Sequence, residues 1–180
     1  MNNGEGSYRR FLSGDKDALI EIIRDYKDGL ILYINSIVNN IQIAEDITED
    51  TFVKLYTDRP SFRGASSFKT WLYSIARFTA IDYLRKYSGK TVISFDEMFM
   101  IPDEANIEQN VVDDEEKVKL FSSIKRLKPE YGQVIYLMYF ENFSRAETAK
   151  IMKKTQKQVS DLLYRAKHAL ESEFEKGEKA

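Results

Sequence analysis

The chain has 180 residues, which corresponds to one domain or two small ones. Hydrophobic residues make up 43% and charged residues 31%, while only 8 Gly and 3 Pro leave few turns for a β-sandwich or barrel, so the composition favours an all-α fold. With no Cys and a single His, His168, the sequence excludes disulfide scaffolds and cysteine-ligated metal sites. We expect neither a metal, nor a cofactor, nor catalytic residues.

No segment of the sequence is expected to enter a membrane. The first seven residues are polar, and no apolar signal segment follows them. The longest apolar run, residues 134–140, has 7 residues, whereas a membrane span needs about 20. We therefore expect a cytoplasmic protein with no membrane insertion of its own.

The net charge of −2 hides three blocks of different charge. The numbers of basic and acidic side chains are 12 and 12 in residues 1–88, 1 and 9 in 89–116, and 14 and 8 in 117–180. We interpret the acidic stretch, residues 88–114, as a linker between an N-terminal domain (1–87) and a C-terminal domain (115–180). The basic excess of the last block indicates a nucleic-acid partner.

Helical spacing of apolar residues dominates the N-terminal domain. Residues 20–38 predict one long helix or two abutting helices, and a helix from about Ile43 to Thr57 follows. The face of that second helix opposite its apolar side carries four carboxylates: Glu45, Asp46, Glu49 and Asp50. Such a face is usually only solvated, but its charge also suits a basic partner surface.

A loop containing Pro60 and Gly64 precedes the last helix of this domain. Ser66 or Ser67 is the expected N-cap of a helix that reaches about Tyr87.

That helix has two stripes. We expect Phe68 and Trp71, on the apolar stripe, to pack in the core rather than to stack on bases. Lys69, Tyr73 and Arg77 form the other stripe and combine cations with an aromatic ring, a mixture suited to single-stranded DNA.

The sequence of the C-terminal domain predicts four helices, the last two of which form a helix-turn-helix. They are predicted over 115–127, 130–140, 144–152 and from a turn at 153–155 to about 174. Ser144 and Glu147 have the spacing of a capping box at the start of the third helix. In a helix-turn-helix the second helix lies in the major groove of DNA.

One face of the last helix is predicted to be buried and the other to read DNA. The buried stripe comprises Val159, Leu162, Leu163, Ala166 and Leu170, which leaves Lys157, Ser160, Asp161, Tyr164 and His168 facing outward. Polar side chains at its first turns suit base edges, and the cations Lys153, Lys154, Arg165 and Lys167 suit phosphates. An ordinary solvated face is the alternative, which the preceding capped helix and the basic block disfavour.

Several segments resemble a known family in order and spacing. In the C-terminal domain, residues 127–130 (LKPE), 134–144 (VIYLMYFENFS), 149–152 (AKIM) and 159–170 (VSDLLYRAKHAL) resemble region 4 of bacterial RNA polymerase sigma factors. In the N-terminal domain, residues 44–52 (AEDITEDTF) and 62–85 (FRGASSFKTWLYSIARFTAIDYLR) resemble region 2. With no room for other conserved regions, the resemblance is to the small, two-domain extracytoplasmic-function (ECF) subgroup of the sigma-70 family.

The resemblance implies a promoter-specific initiation factor with three groups of contact residues. Glu45, Asp46, Glu49 and Asp50 would contact the clamp helices of the polymerase β′ subunit. The minus-ten element would be read and melted by Phe62, Arg63, Gly64, Ala65, Ser66, Ser67, Lys69, Tyr73 and Arg77. The minus-thirty-five element would be read by Lys154, Thr155, Gln156, Lys157, Gln158, Ser160, Asp161, Tyr164 and Arg165.

The family also implies further partners. The polymerase β subunit belongs to its binding surface, the acidic linker would follow the path of the RNA through the polymerase, and an anti-sigma factor would hold the protein inactive. From sequence alone, a solvated tether explains the linker equally well.

Three positions depart from the family pattern. Lys153-Lys-Thr155 replaces the small or polar residues usual at the turn of the helix-turn-helix. Ser160 and Leu162 stand where basic residues are common. Leu162 lies on the buried stripe, so its lack of charge need not matter, whereas Ser160 and Asp161 should alter the sequence that is read. Phe78 replaces a usual Asn, which argues against a polar DNA contact there.

The sequence alone leaves two other classes of function open. A polymerase-independent helix-turn-helix regulator would use the N-terminal block for ligand binding or dimerisation, but would need neither the acidic face nor the loop before Lys69. A helical adaptor that binds only protein would show no salt-sensitive binding to duplex DNA.

Overall fold

The computed structural model describes residues 3–87 and 115–178, so the acidic linker at 88–114 lies outside the described residues. Within them the regular elements are helices: α1 (Asn3–Leu12), α2 (Asp17–Val38), α3 (Ile41–Thr57), α4 (Phe68–Tyr87), α5 (Glu115–Lys125), α6 (Pro129–Ile135), α7 (Arg145–Met152) and α8 (Gln156–Glu178). A π-helical turn, Tyr136–Phe140, continues α6. The all-α prediction is confirmed.

In the N-terminal domain, α2 lies at the centre and packs against α1, α3 and α4. Its apolar positions, among them Ile22, Leu30 and Ile34, are buried because they recur on one face at helical spacing. Asn39 ends α2 in a left-handed conformation, with φ of 52°. Asn40 then caps α3 by accepting a hydrogen bond from the Ile43 amide at 3.0 Å.

Helix α1 is an addition to the predicted elements. Tyr8 and Phe11 are buried in the domain core, and the Tyr8 hydroxyl donates a hydrogen bond to the Pro60 carbonyl at 2.7 Å. Gly4 lets α1 approach α4 closely, since a Cβ on this residue would lie 2.3 Å from Cδ1 of Phe68. The N-terminal segment therefore belongs to the first domain's core.

The C-terminal domain follows the predicted order with two differences. The segment predicted as one helix over 130–140 is α-helical only to Ile135, and α8 extends past the expected end. The Ser144–Glu147 capping box is present: the Ser144 hydroxyl accepts from the Glu147 amide at 3.2 Å, and Glu147 accepts from the Ser144 amide at 2.9 Å. Helices α7 and α8 pack together as the helix-turn-helix.

The two domains are in contact. Helix α6 and the π-helical turn pack on α2, and α7 packs on α4. We call this contact surface the interdomain seam. It positions one face of α4 under the C-terminal domain and leaves the carboxylate face of α3 and the outer face of α8 open to solvent.

Candidate nucleic-acid and polymerase interfaces

The four predicted carboxylates lie together on the open face of α3. Glu45, Asp46, Glu49 and Asp50 are all exposed, while Ala44, Ile47, Thr48 and Thr51 between them are buried. The nearby cation Lys54 turns away from them and donates to Oγ1 of Thr79 on α4 at 3.2 Å. The acidic face is thus not neutralised by the lysine that follows it in sequence.

The predicted minus-ten loop is anchored at both ends. The half-buried Phe62 ring meets Phe68 edge-on at 5.8 Å and lies 5.3 Å from the Trp71 ring. Phe68 is fully buried, which confirms its predicted core position. Arg63, Gly64 and Ala65 are exposed between these anchors, and Ser66 and Ser67 are half-buried.

The stripe Lys69, Tyr73 and Arg77, predicted to contact minus-ten DNA, lies against the C-terminal domain. Tyr73 is 1% exposed and Arg77 9% exposed. Tyr73 and Arg77 are therefore not accessible to DNA in this arrangement. Periodicity within α4 could not show this, because it does not reveal that a second domain docks on the helix. Lys69 stays half-buried at the edge of the seam.

Lys69 is held by residues just before α7. Its Nζ lies 2.7 Å from Oε2 of Glu141 and donates to the Glu141 carbonyl at 3.0 Å. The same ammonium lies 4.9 Å from the centre of the Phe143 ring, which meets Tyr73 edge-on at 5.0 Å. An ion pair, a cation–π contact and an aromatic pair thus converge on one lysine.

Helix α7 makes a second set of seam contacts. Oε1 of Glu147 accepts hydrogen bonds from the hydroxyls of Ser67 at 3.3 Å and Thr70 at 3.2 Å. The Lys150 ammonium donates to the carbonyl of Ala65 at 2.9 Å. Two residues of the predicted minus-ten loop, Ala65 and Ser67, are therefore already engaged by the C-terminal domain.

Hydrogen bonding of the buried polar groups is less complete at the centre of the interdomain seam. Nε of Arg77 donates to Oε1 of Gln133 at 3.4 Å, a long hydrogen bond, and both residues are buried. In the described part of the chain, the Tyr33 hydroxyl and Nε2 of Gln133 are buried with no hydrogen-bond partner. The two unsatisfied atoms therefore lack the hydrogen bonds that buried polar groups normally make.

The Glu141 carboxylate lies among phenols that are unusually weak acids. Burial, and then the charge of Glu141 and a hydrogen bond to it, raise the pKa of Tyr73 and that of Tyr136 above their usual range. Both phenols therefore stay protonated as donors to Glu141. At Glu147, burial raises the pKa, but hydrogen bonds from Ser144, Thr70 and Ser67 outweigh it, so the net shift is downward.

The outer face of α8 is open along the predicted reading surface. Gln156, Lys157, Asp161, Tyr164 and Arg165 are exposed, and Ser160 is half-buried. The buried stripe is confirmed at Val159, Leu163 and Ala166, while Leu162 and Leu170 are half-buried and pack against the core.

Three predicted minus-thirty-five residues have structural partners within the domain. Oγ1 of Thr155 accepts from the Gln158 amide at 3.1 Å, and Oε1 of Gln158 accepts from the Thr155 amide at 2.8 Å, which makes a second capping box at the start of α8. Lys154 pairs with Glu130 of α6 at 3.0 Å. These side chains fix the turn, and Lys157 and Arg165 are better placed for a ligand.

Phe78 lies on the open side of α4. Its side chain is 55% exposed, and the Lys153 ammonium lies 5.8 Å from its ring centre. Lys153 itself, at the helix-turn-helix turn, has a left-handed backbone with φ of 54°.

Sequence reasoning missed the C-terminal partners of the α4 stripe, which are Gln133, Glu141 and Phe143. One signal was available: Gly29 in the middle of α2. A Cβ at Gly29 would lie 2.5 Å from the Tyr73 hydroxyl oxygen and 2.8 Å from Oε1 of Glu141. An isolated glycine within a helical pattern marks a close approach, here of another domain.

Comparisons with known proteins match both domains. A family model described as Sigma-70 region 2 matches residues 22–89, and one described as Sigma-70, region 4 matches residues 118–170. RNA polymerase sigma factor YlaC of Bacillus subtilis (strain 168) is 30% identical over 164 residues, 89% of this chain and 94% of that protein. ECF RNA polymerase sigma factor SigW of the same organism is 30% identical over 170 residues, 89% of this chain and 91% of its own length.

A solved structure supports the same architecture. The sigma factor RpoE, crystallised with the anti-sigma factor NepR from Bartonella quintana, has a TM-score of 0.71 at 21% identity and covers 86% of this chain and 95% of that one. At this identity the likeness concerns the fold. Across the described ranges, no helix is long and apolar enough to cross a membrane.

Proposed function

Because the chain belongs to the ECF subgroup of the sigma-70 family of promoter-directing transcription initiation factors, we propose that it binds core RNA polymerase through the acidic face of α3. The observation that carries this is the exposure of all four carboxylates of that face, with Lys54 turned away toward Thr79. Carboxylates that make no ion pair with the described residues, on a rigid helix, suit a basic helical partner such as the β′ clamp. The β subunit is the second polymerase contact that family membership implies.

Promoter recognition is divided between the domains. The open face of α8, with Lys157, Ser160, Asp161, Tyr164 and Arg165, reads the minus-thirty-five element in the major groove. Thr155, Gln158 and Lys154 hold the first turn of α8 at the angle this requires.

The N-terminal domain captures melted minus-ten DNA. Arg63, Gly64 and Ala65 form the open part of the loop, and the positive φ of Gly64, 71°, supports a sharp turn that brings backbone close to a nucleotide. Lys69, Tyr73 and Arg77 supply cations and an aromatic face once they are uncovered.

The remaining attributes follow from the family. Sigma factors are initiation factors that lend specificity to the active site of the polymerase, so this chain performs no bond chemistry of its own and works in the cytoplasm. Its regulator is an anti-sigma factor, a kind of partner with which the RpoE of similar fold was crystallised.

The test is run-off transcription by core polymerase on a promoter library, with and without this chain. We expect sequence-selective transcripts only in its presence. A chain that shifts duplex DNA but never alters polymerase selectivity would instead be a polymerase-independent regulator, and one that binds no DNA would be an adaptor.

The acidic face is tested by Asp46→Lys with Asp50→Lys. Reversing two charges should abolish association with core polymerase while circular dichroism stays unchanged, since both side chains are exposed. The matched control is Asp25→Lys with Asp28→Lys, which changes the net charge equally at exposed positions of α2. Equal loss in both pairs would point to nonspecific charge, and no loss in the first would remove the clamp assignment.

A further inference from the structure

The loop between α3 and α4, residues 58–67, has little hydrogen bonding of its own. Apart from its two end residues, its backbone makes no hydrogen bond with other backbone groups in the described part of the chain. Two side chains from outside the loop donate to it instead: Lys150 of the C-terminal domain to the Ala65 carbonyl, and Tyr8 of α1 to the Pro60 carbonyl. Within the N-terminal domain, α1 is therefore the helix that hydrogen-bonds the loop backbone.

The Tyr8 hydroxyl is a dependable donor to this loop. Its hydrogen bond to the Pro60 carbonyl is 2.7 Å long and joins residues 52 positions apart in the chain. Burial raises the pKa of the Tyr8 phenol to about 12, although the nearby Arg59 guanidinium acts in the opposite direction. Because Pro60 has no amide hydrogen, its carbonyl is the one backbone group through which this residue can be hydrogen-bonded.

A second residue of α1 contacts the preceding loop position. Phe11 lies three residues after Tyr8 and so shares its face of α1. The Arg59 guanidinium lies 5.4 Å from the centre of the Phe11 ring. Arg59 has a left-handed backbone with φ of 44°, which a residue with a side chain adopts at an energetic cost. The cation–π contact offsets part of this cost, so α1 stabilises two successive loop residues.

The ring of Tyr8 also connects the loop to α4. It lies 5.2 Å from the Trp71 ring and 5.5 Å from the Phe68 ring. Both of these rings contact the ring of Phe62, which directly precedes the exposed loop residues 63–65. Helix α1 therefore contacts the loop backbone before Phe62 and packs on the same aromatic cluster that anchors Phe62.

We propose that α1 is a positioning element for the minus-ten residues of this loop, with the Tyr8 hydroxyl as its main contact. Helix α1 lies before residues 22–89, the segment that the region 2 family model matches. The inference rests on the proposed function of Arg63, Gly64 and Ala65 in capturing melted DNA. A loop that is held before the strand arrives loses less conformational entropy on binding it. Loss of the hydroxyl should therefore weaken strand capture without removing a group that touches DNA.

The test variant is Tyr8→Phe, which removes the hydroxyl and keeps the ring. Its stability-matched control is Ile37→Val, which removes one methyl group from a buried position of α2 outside the aromatic cluster. A second control, Tyr33→Phe, makes the same chemical change at a hydroxyl that has no hydrogen-bond partner among the residues described. Circular dichroism and urea denaturation verify that all three variants are folded and compare their stabilities.

The order of the loop is measured through Trp71, which is the single tryptophan of the chain. Its side chain is half-buried and lies 5.3 Å from the Phe62 ring of the loop. Acrylamide, a neutral quencher, reaches this indole more readily when the loop loosens. We expect Tyr8→Phe to raise the quenching constant of the full chain, and both controls to match the parent chain.

Strand capture is measured as a ratio of run-off transcription with core polymerase from two templates. One is the most active duplex promoter that the parent chain selects from the library, and the other is the same promoter premelted over its minus-ten element. We expect Tyr8→Phe to lower the duplex-to-premelted ratio about three- to tenfold, the worth of one net hydrogen bond. Only the duplex requires the loop to hold the strand against reannealing, whereas a poorly folded chain would lower both signals equally.

Three results would overturn the proposal. Unchanged quenching in Tyr8→Phe would show that the hydroxyl does not hold the loop. Increased quenching with an unchanged ratio would show that loop order has no part in strand capture, and a ratio lowered equally by either control would assign the effect to general stability. Failure of the proposed function is distinct from all three, because the parent chain itself would then give no selective transcripts.

Discussion

The two candidate DNA surfaces of this protein use similar residues but differ in access. Both combine cations with tyrosine on one side of a helix, Lys69, Tyr73 and Arg77 on α4 and Lys157, Tyr164 and Arg165 on α8. Tyr73 is 1% exposed, whereas Tyr164 is 66% exposed. The difference teaches that the pattern along a helix specifies the chemistry of a surface, and that tertiary docking decides when the surface is available.

The largest expected difference between the two surfaces is in stability, when one aromatic ring is removed from each. Phe143 is 5% exposed and packs against Tyr73 and Lys69, so Phe143→Ala should lower the free energy of unfolding by about 3 kcal/mol. Tyr164→Ala, on the open surface, should change it by less than about 0.5 kcal/mol. Urea denaturation measures both, and equal losses would mean that the two rings are equally buried in solution.

The open surface of α8 should determine which DNA sequence is bound, whereas the interdomain seam determines whether the α4 stripe is exposed. Asp161→Ala should change promoter preference at one or two positions, by about 1–3 kcal/mol of discrimination, because an exposed carboxylate can accept from a cytosine amine. Binding selection on a randomised minus-thirty-five library measures this. A uniform loss of affinity across all sequences would reassign Asp161 to positioning on the backbone.

A smaller effect is expected at the turn between α7 and α8. Lys153 has φ of 54°, a conformation that glycine adopts without strain, so Lys153→Gly should raise the free energy of unfolding by about 0.5 kcal/mol after loss of the Phe78 contact. The same change inside α8, Lys167→Gly, should lower it by about 1 kcal/mol. A destabilising Lys153→Gly would mean that the contact with Phe78 across the domains outweighs the backbone strain.

The smallest expected effect is a pH dependence of stability that comes from the Ser144–Glu147 capping box, which touches the interdomain seam. Glu147 has a pKa below the ordinary 4.5, so the stability it contributes is complete above that pH and is lost as the pH falls through its lowered value. The box at α8 uses Gln158, which does not titrate. Denaturation from pH 6 to pH 3 should therefore show a component that Glu147→Gln removes, and an identical pH profile in that variant would contradict this assignment.

Much of the fold followed from local patterns in the sequence. The end of α4 at Tyr87, the Ser144 capping box and the buried stripe of α8 each depend on spacing within one helix, which periodicity reports directly. Helix α1 was not predicted because it contains few apolar residues, although Tyr8 and Phe11 lie on one face of it and are buried in the core.

The sequence indicated the residues and the chemistry of the candidate interfaces, but not which of these residues are covered in the folded chain. Periodicity was enough to predict that the acidic face of α3 and most of the outer face of α8 are exposed, since nothing in the described residues covers them. The covering of Tyr73 and Arg77 depends on contacts between residues far apart in the chain, such as Arg77 with Gln133, which are 56 positions apart. A single sequence holds no periodic signal for such contacts. The Thr155–Gln158 box had the same spacing as the box at Ser144 and could have been recognised.

The contact between the two domains depends on the number of residues in the π-helical turn at Tyr136–Phe140. It places one more residue in a turn than an α-helix does, and the Glu141 amide bonds to the Tyr136 carbonyl five residues back at 3.1 Å. Loss of a single codon here would restore α-helical phase and rotate everything after it by about 100° relative to α6. Helices α6 and α7 could then no longer reach α2 and α4 together, so an in-frame deletion could separate the domains without altering the chemistry of any side chain at the seam.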